Sequence, residues 1–68
     1  MPNAEVFLDD RGSLLRVRWD DDVQQLLISV WRDGVCIATH RLDHLDTARL
    51  STLLTQAWVD GLRHTTSE

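Results

Sequence analysis

Lysine and tyrosine are absent from this 68-residue chain, and cysteine and proline occur once each. Each shortage removes a class of answer. The lone Cys36 cannot close an intrachain disulfide. No Cys-x-x-Cys pair and no tight Cys/His quartet offers a structural zinc site. Chains this short are marginal on core burial alone and usually need a disulfide, a metal or a partner subunit as a staple. With the first two staples missing, the composition points to the third, a homodimer. Without lysine, every one of the seven basic side chains is an arginine, set against nine aspartates and two glutamates, for a formal charge of −4. That usage looks like a high-GC bacterial coding sequence. An acidic chain has no general attraction for nucleic acid or anionic membrane, although local arginine patches can still act.

No apolar run approaches the roughly 18 residues of a membrane span. The opening MPNAEVFLDDRG lacks both the basic region and the long apolar region of a signal peptide. With the unpaired cysteine, this implies a cytoplasmic protein. The motifs of catalysis are missing as well: there is no Gly-rich phosphate loop, no Gly-x-Ser-x-Gly elbow and no His-Glu-x-x-His. A chain of this length also has difficulty enclosing a deep pocket. The expectation is a protein that is not an enzyme, with no cofactor, no metal site and no small-molecule substrate.

What is present is strand patterning followed by one helix, in a single domain over 1–68. A first strand is expected over about 5–9, ended by the turn formers of DDRG. In SLLRVRW, over 13–19, Leu15, Val17 and Trp19 alternate with Leu14, Arg16 and Arg18, the pattern of a half-buried antiparallel strand. Asp20 to Asp22 break it, and VQQLLISVWR, over 23–32, forms the third strand. It runs into Asp33-Gly34, the strongest short-range signal for a type I′ hairpin, so the fourth strand covers 35–42. A two-residue turn pairs Arg32 with Val35, Trp31 with Cys36, Val30 with Ile37 and Ile28 with Thr39. One face of the hairpin then carries Leu26, Ile28, Val30, Val35 and Ile37. The other carries Leu27, Ser29, Trp31, Cys36, Ala38, His40 and Leu42. Asp46 is the expected N-cap of a helix over about 47–60, with Leu45 and Leu50 at the staple positions and Gly61 as the left-handed C-cap. Leu50, Leu53, Leu54, Ala57 and Trp58 form its apolar stripe. Residues 64–68 read as a frayed tail. The fold class is α+β: a small antiparallel sheet of three to four strands with one C-terminal helix packed on one face.

One helix covers one face of a sheet, and both faces of this hairpin are partly apolar. Which face takes the helix and which dimerises stays open at this point, and Leu27, Val30, Ile37 and Ala38 are the residues expected in the core or in the subunit interface. The densest polar cluster, His40, Asp43, His44 and Asp46, reads as helix capping rather than as a metal site, because His40 falls on a strand and the i, i+4 spacing has no helical meaning there. Cys36 reads as a small hydrophobe, with no oxyanion-hole signature beside it. Asp9-Asp10 and Asp20 to Asp22 lack calcium-loop spacing and read as solvated turns.

The run LLISVWRDGVCIATHRLDHLDTARLSTLL, with LLRVRW upstream, resembles small uncharacterised actinobacterial proteins that share a Trp-Arg-Asp-Gly hairpin followed by an amphipathic helix. The resemblance covers about residues 14–54 and transfers no residue role, though it fits a small regulator or adaptor. In element order alone the chain is also similar to PC4-like single-strand binders, from which it departs by its acidity and its lack of lysine. The leading expectation is a small regulatory protein acting as a dimeric protein-binding platform. Its anchors are Trp31, Arg32, Arg41 and Trp19, the residue types that dominate protein interfaces. The alternative is a single-stranded nucleic-acid binder using Arg16, Arg18, Trp19 and Arg32.

Overall fold

The computed structural model describes residues 4–66, with side chains described over 4–64. Strands β1 (Ala4–Leu8), β2 (Ser13–Asp20), β3 (Gln25–Arg32) and β4 (Val35–Leu42) form one antiparallel sheet in the order β1-β2-β3-β4, followed by helix α1 (His44–Thr66). This is the α+β architecture expected from the sequence.

Local chemistry closes each turn. Between β1 and β2, Asp9 Oδ1 accepts from the backbone N–H of Arg11 and of Ser13, both at 2.9 Å, and Gly12 takes the positive φ. Between β2 and β3, Asp20 Oδ1 accepts from the Asp22 N–H at 3.1 Å. The Gln24 amide donates to both the carbonyl and the carboxylate of Asp21, at 2.9 Å each. Asp33 and Gly34 have φ of 53° and 77°, the two positive values that a type I′ turn demands.

That turn sets Arg32 opposite Val35 and Trp31 opposite Cys36 as expected, but the register then shifts. Val30 pairs with Ala38 and Ile28 with His40, which leaves Ile37 as the extra residue of a β-bulge. Ala38, His40 and Leu42 therefore belong with Leu26, Ile28 and Val30, not with Trp31. The expected division of β4 between the two faces is corrected accordingly.

The helix also differs from its expected limits. Asp43, not Asp46, is the N-cap: its Oδ1 accepts from the Asp46 N–H at 2.8 Å, and its carbonyl from the Thr47 N–H at 2.9 Å. Leu45, an expected staple residue, is exposed. Gly61 is not a C-cap, since it lies inside the helix without a positive φ, and the helix continues through residues 64–66 of the expected frayed tail. Residues 67 and 68 lie outside the described residues. A mid-helix glycine costs about 1 kcal/mol relative to alanine, too little to stop a helix flanked by good formers.

The single residue between β4 and α1 starts the helix at the sheet edge, and only its first turns rest on the sheet. Thr47 and Leu50 are half-buried near Leu26, whereas residues 51–64 are all exposed. No described residue is fully buried. The radius of gyration of the 68-residue chain is 14.3 Å, against roughly 11 Å for a compact domain of that length.

Candidate binding surfaces

Side chains alternate between sheet faces, and cross-strand partners share a face, so the register assigns every strand residue. On one face Arg18, Leu27 and Arg41 form a row across β2, β3 and β4. Arg16, Ser29 and Thr39 form the next, and Leu14, Trp31 and Cys36 the third. Ala4, Val6 and Leu8 of β1 extend these rows. This arginine face thus has a cationic band at one end and an apolar patch at the other. On the opposite, aliphatic face, Val17, Ile28 and His40 form one row and Leu15, Val30 and Ala38 another, with Trp19, Leu26 and Leu42 a third. Glu5 and Phe7 extend the first two of these.

The arginine face is locally organised. The Trp31 indole N–H donates to Ser29 Oγ at 2.9 Å, which fixes the ring within a shallow depression lined by Arg16, Arg18, Leu27 and Thr39. Cys36 Sγ lies 3.4 Å from Thr39 Oγ1 and is exposed. Arg18 is 3.9 Å from Asp20, the single carboxylate at the edge of the cationic band, while neither Arg16 nor Arg41 makes an ion pair within 4 Å among the described residues. A groove of about 390 Å³ beside the depression is lined by Val6, Leu8, Leu14, Arg16, Trp31 and Asp33. Aromatic, aliphatic and guanidinium groups therefore meet on one open surface, which can take an extended segment.

The aliphatic face lies under the helix without being closed by it. Leu26, Leu50, Leu54 and Trp58 line an open cleft of about 380 Å³, and Phe7, Val17, Trp19 and Leu54 line another of about 370 Å³.

The sets proposed from sequence divide between these surfaces. Of the anchors Trp31, Arg32, Arg41 and Trp19, the first and third lie on the arginine face, and Arg32 and Trp19 on the aliphatic side. In the nucleic-acid set, Arg16 and Arg18 are separated by the sheet from Trp19 and Arg32. Neither set forms one surface. Among the expected core or interface residues, Val30 and Ala38 share the aliphatic face, Leu27 lies on the arginine face, and Ile37 is the bulge residue, exposed. Sequence reading missed Val6, Leu8 and Leu14 as the apolar end of the arginine face, a signal that parity with Arg16 carries once β1 is paired. Among the described residues, no group of three His, Cys, Asp or Glu could hold a metal ion, and no helix is long and apolar enough to cross a membrane. Comparison with protein-family models, with curated proteins and with solved structures finds no match to this chain.

Proposed function

We propose that this is a non-enzymatic, cytoplasmic regulatory protein that works as a dimeric platform, binding an acidic, amphipathic segment of a partner protein across its arginine face. One observation carries the reading: three arginines and Trp31 lie on one open sheet face, away from the aliphatic face, with Asp20 at one end of them and Asp33 at the other. Carboxylates of the partner would pair with Arg16, Arg18 and Arg41, and its apolar residues would cover Leu14 and Trp31. Arginine suits this role because its planar fork binds a carboxylate bidentately and its flat surface packs on apolar groups. The second reading is a single-stranded nucleic acid on the same band, with Trp31 replacing Trp19 as the stacking ring. It draws on the same three guanidinium groups and on the PC4-like element order.

Fluorescence anisotropy with a labelled peptide that alternates Glu and Leu, and with a labelled oligothymidylate, separates the two. The peptide should bind, and the double variant Arg18→Glu/Arg41→Glu should weaken it by about tenfold or more. If the oligothymidylate binds instead, with affinity falling steeply as salt rises, counterion release identifies the second reading. Binding of neither probe overturns both.

A further inference from the structure

The uncovered half of α1 and the uncovered half of the aliphatic face carry an inference about what closes them. We infer that a second copy of this chain lays its helix over the aliphatic face and receives this chain's helix in return, so that each core is completed by the other subunit. This rests on the dimeric part of the reading above and specifies its interface.

The first argument is continuity. Leu50, Leu54 and Trp58 belong to one stripe along one side of the helix. Leu50 is half-buried against its own sheet, yet Leu54 is 59% and Trp58 63% exposed. A stripe that begins under cover and continues uncovered is half of an interface. The matching half lies on the same molecule: Phe7 and Leu15 sit at the far end of the aliphatic face, where this chain's own helix only borders an open cleft through Leu54, and Phe7 is 55% exposed. An open groove of about 350 Å³ lies there, lined by Phe7, Leu15 and Val30 with Asp9 and Ser13 at its rim.

The second argument is area. The chain exposes 5881 Å², about 1,500 Å² more than the roughly 4,400 Å² expected for a compact monomer of 7.8 kDa. Two copies that each cover such an excess would bury on the order of 3,000 Å², within the range of obligate homodimers. The third argument is symmetry. A two-fold interface requires every patch to meet its complement on an identical molecule, and an exposed helix stripe with an exposed sheet face on the same chain satisfies that without any third component. Reach agrees as well, since a 23-residue helix is about 34 Å long whereas four strands span about 14 Å between their outer axes. The helix is too long for its own sheet.

The test uses a Cys36→Ser background, with Phe7→Cys on one tagged chain and Trp58→Cys on another, refolded together and oxidised. A disulfide between the two chains is expected, because residue 58 of one copy would rest on residue 7 of the other. Trp58→Asp, in the otherwise native chain, should raise the dimer dissociation constant by about 100-fold or more, read by sedimentation equilibrium. A native chain that stays monomeric at every concentration would overturn both this interface and the dimeric part of the proposed function. A native dimer without the cross-link, or one indifferent to Trp58→Asp, would overturn this interface alone and point to pairing through a sheet edge.

Discussion

The two faces of the sheet are built from alternate residues of the same strands, yet they solve opposite problems. On the aliphatic face, Leu26 lies beside Thr47 and Leu50 at the start of a helix, while Phe7, Leu15 and Val30 line an open groove. On the arginine face some polar groups find partners, Trp31 on Ser29 and Arg18 near Asp20, while Arg16 and Arg41 make no ion pair among the described residues and Val6 and Leu8 stay exposed beside them. The difference teaches where the missing contacts belong: apolar area asks for a subunit, and a solvated cationic band is open to a ligand.

Neighbouring substitutions on opposite faces should break this comparison most sharply. Val30→Asp places a carboxylate in the middle of the aliphatic layer, between Leu15 and Ala38. In the proposed dimer a charge enclosed there should cost about 3 kcal/mol or more, and urea denaturation should show little folded protein. Ser29→Asp, one residue earlier, lies in the row of Arg16 and Thr39 and can still accept from the Trp31 indole. It should change stability by less than about 1 kcal/mol while weakening capture of an acidic peptide. Equal effects at both positions would mean that the two faces are not distinct in the assembled protein.

Much of this division was legible in the sequence. Asp33-Gly34 specified its turn because few other dipeptides tolerate two positive φ values. The alternation of Leu15, Val17 and Trp19 with Leu14, Arg16 and Arg18 specified the parity of β2. That same alternation puts Arg18 and Trp19 on opposite faces of β2. The bulge at Ile37 was not legible, because an extra residue in one strand is decided by the fit of the whole ladder rather than by a local motif. The helix start was ambiguous for another reason: Asp43 and Asp46 are both good caps, and the position of the strand end chooses between them. Asp43→Ala should therefore cost about 1 kcal/mol, whereas Asp46→Ala removes only first-turn charge and an exposed pair with Arg49, worth a few tenths. Denaturation midpoints of the two variants would order them, and the reverse order would restore Asp46 as the cap.

The smallest effect concerns what keeps the faces apart at β1. A one-residue slip of β1 would move Phe7 onto the arginine face and bring Val6 and Leu8 onto the aliphatic one. The Asp9 turn opposes that slip, since its carboxylate accepts the Ser13 and Arg11 N–H groups that close the β1–β2 connection. Those two hydrogen bonds, the one from Ser13 first, hold the Asp9 carboxyl below its ordinary value of 3.8. A carboxylate more acidic in the folded than in the unfolded chain stabilises the fold fully above the unfolded value. That contribution fades as the pH falls through the lower, folded value. Asp9→Asn keeps an acceptor oxygen but not the charge, so it should be slightly less stable than the native chain at neutral pH. The gap should close on acidification below about pH 4. Urea midpoints for both proteins across that range provide the check. A gap that stays constant with pH would mean that the side chain holds the turn through shape alone, and that the register of β1 is set instead by Phe7 joining the aliphatic layer.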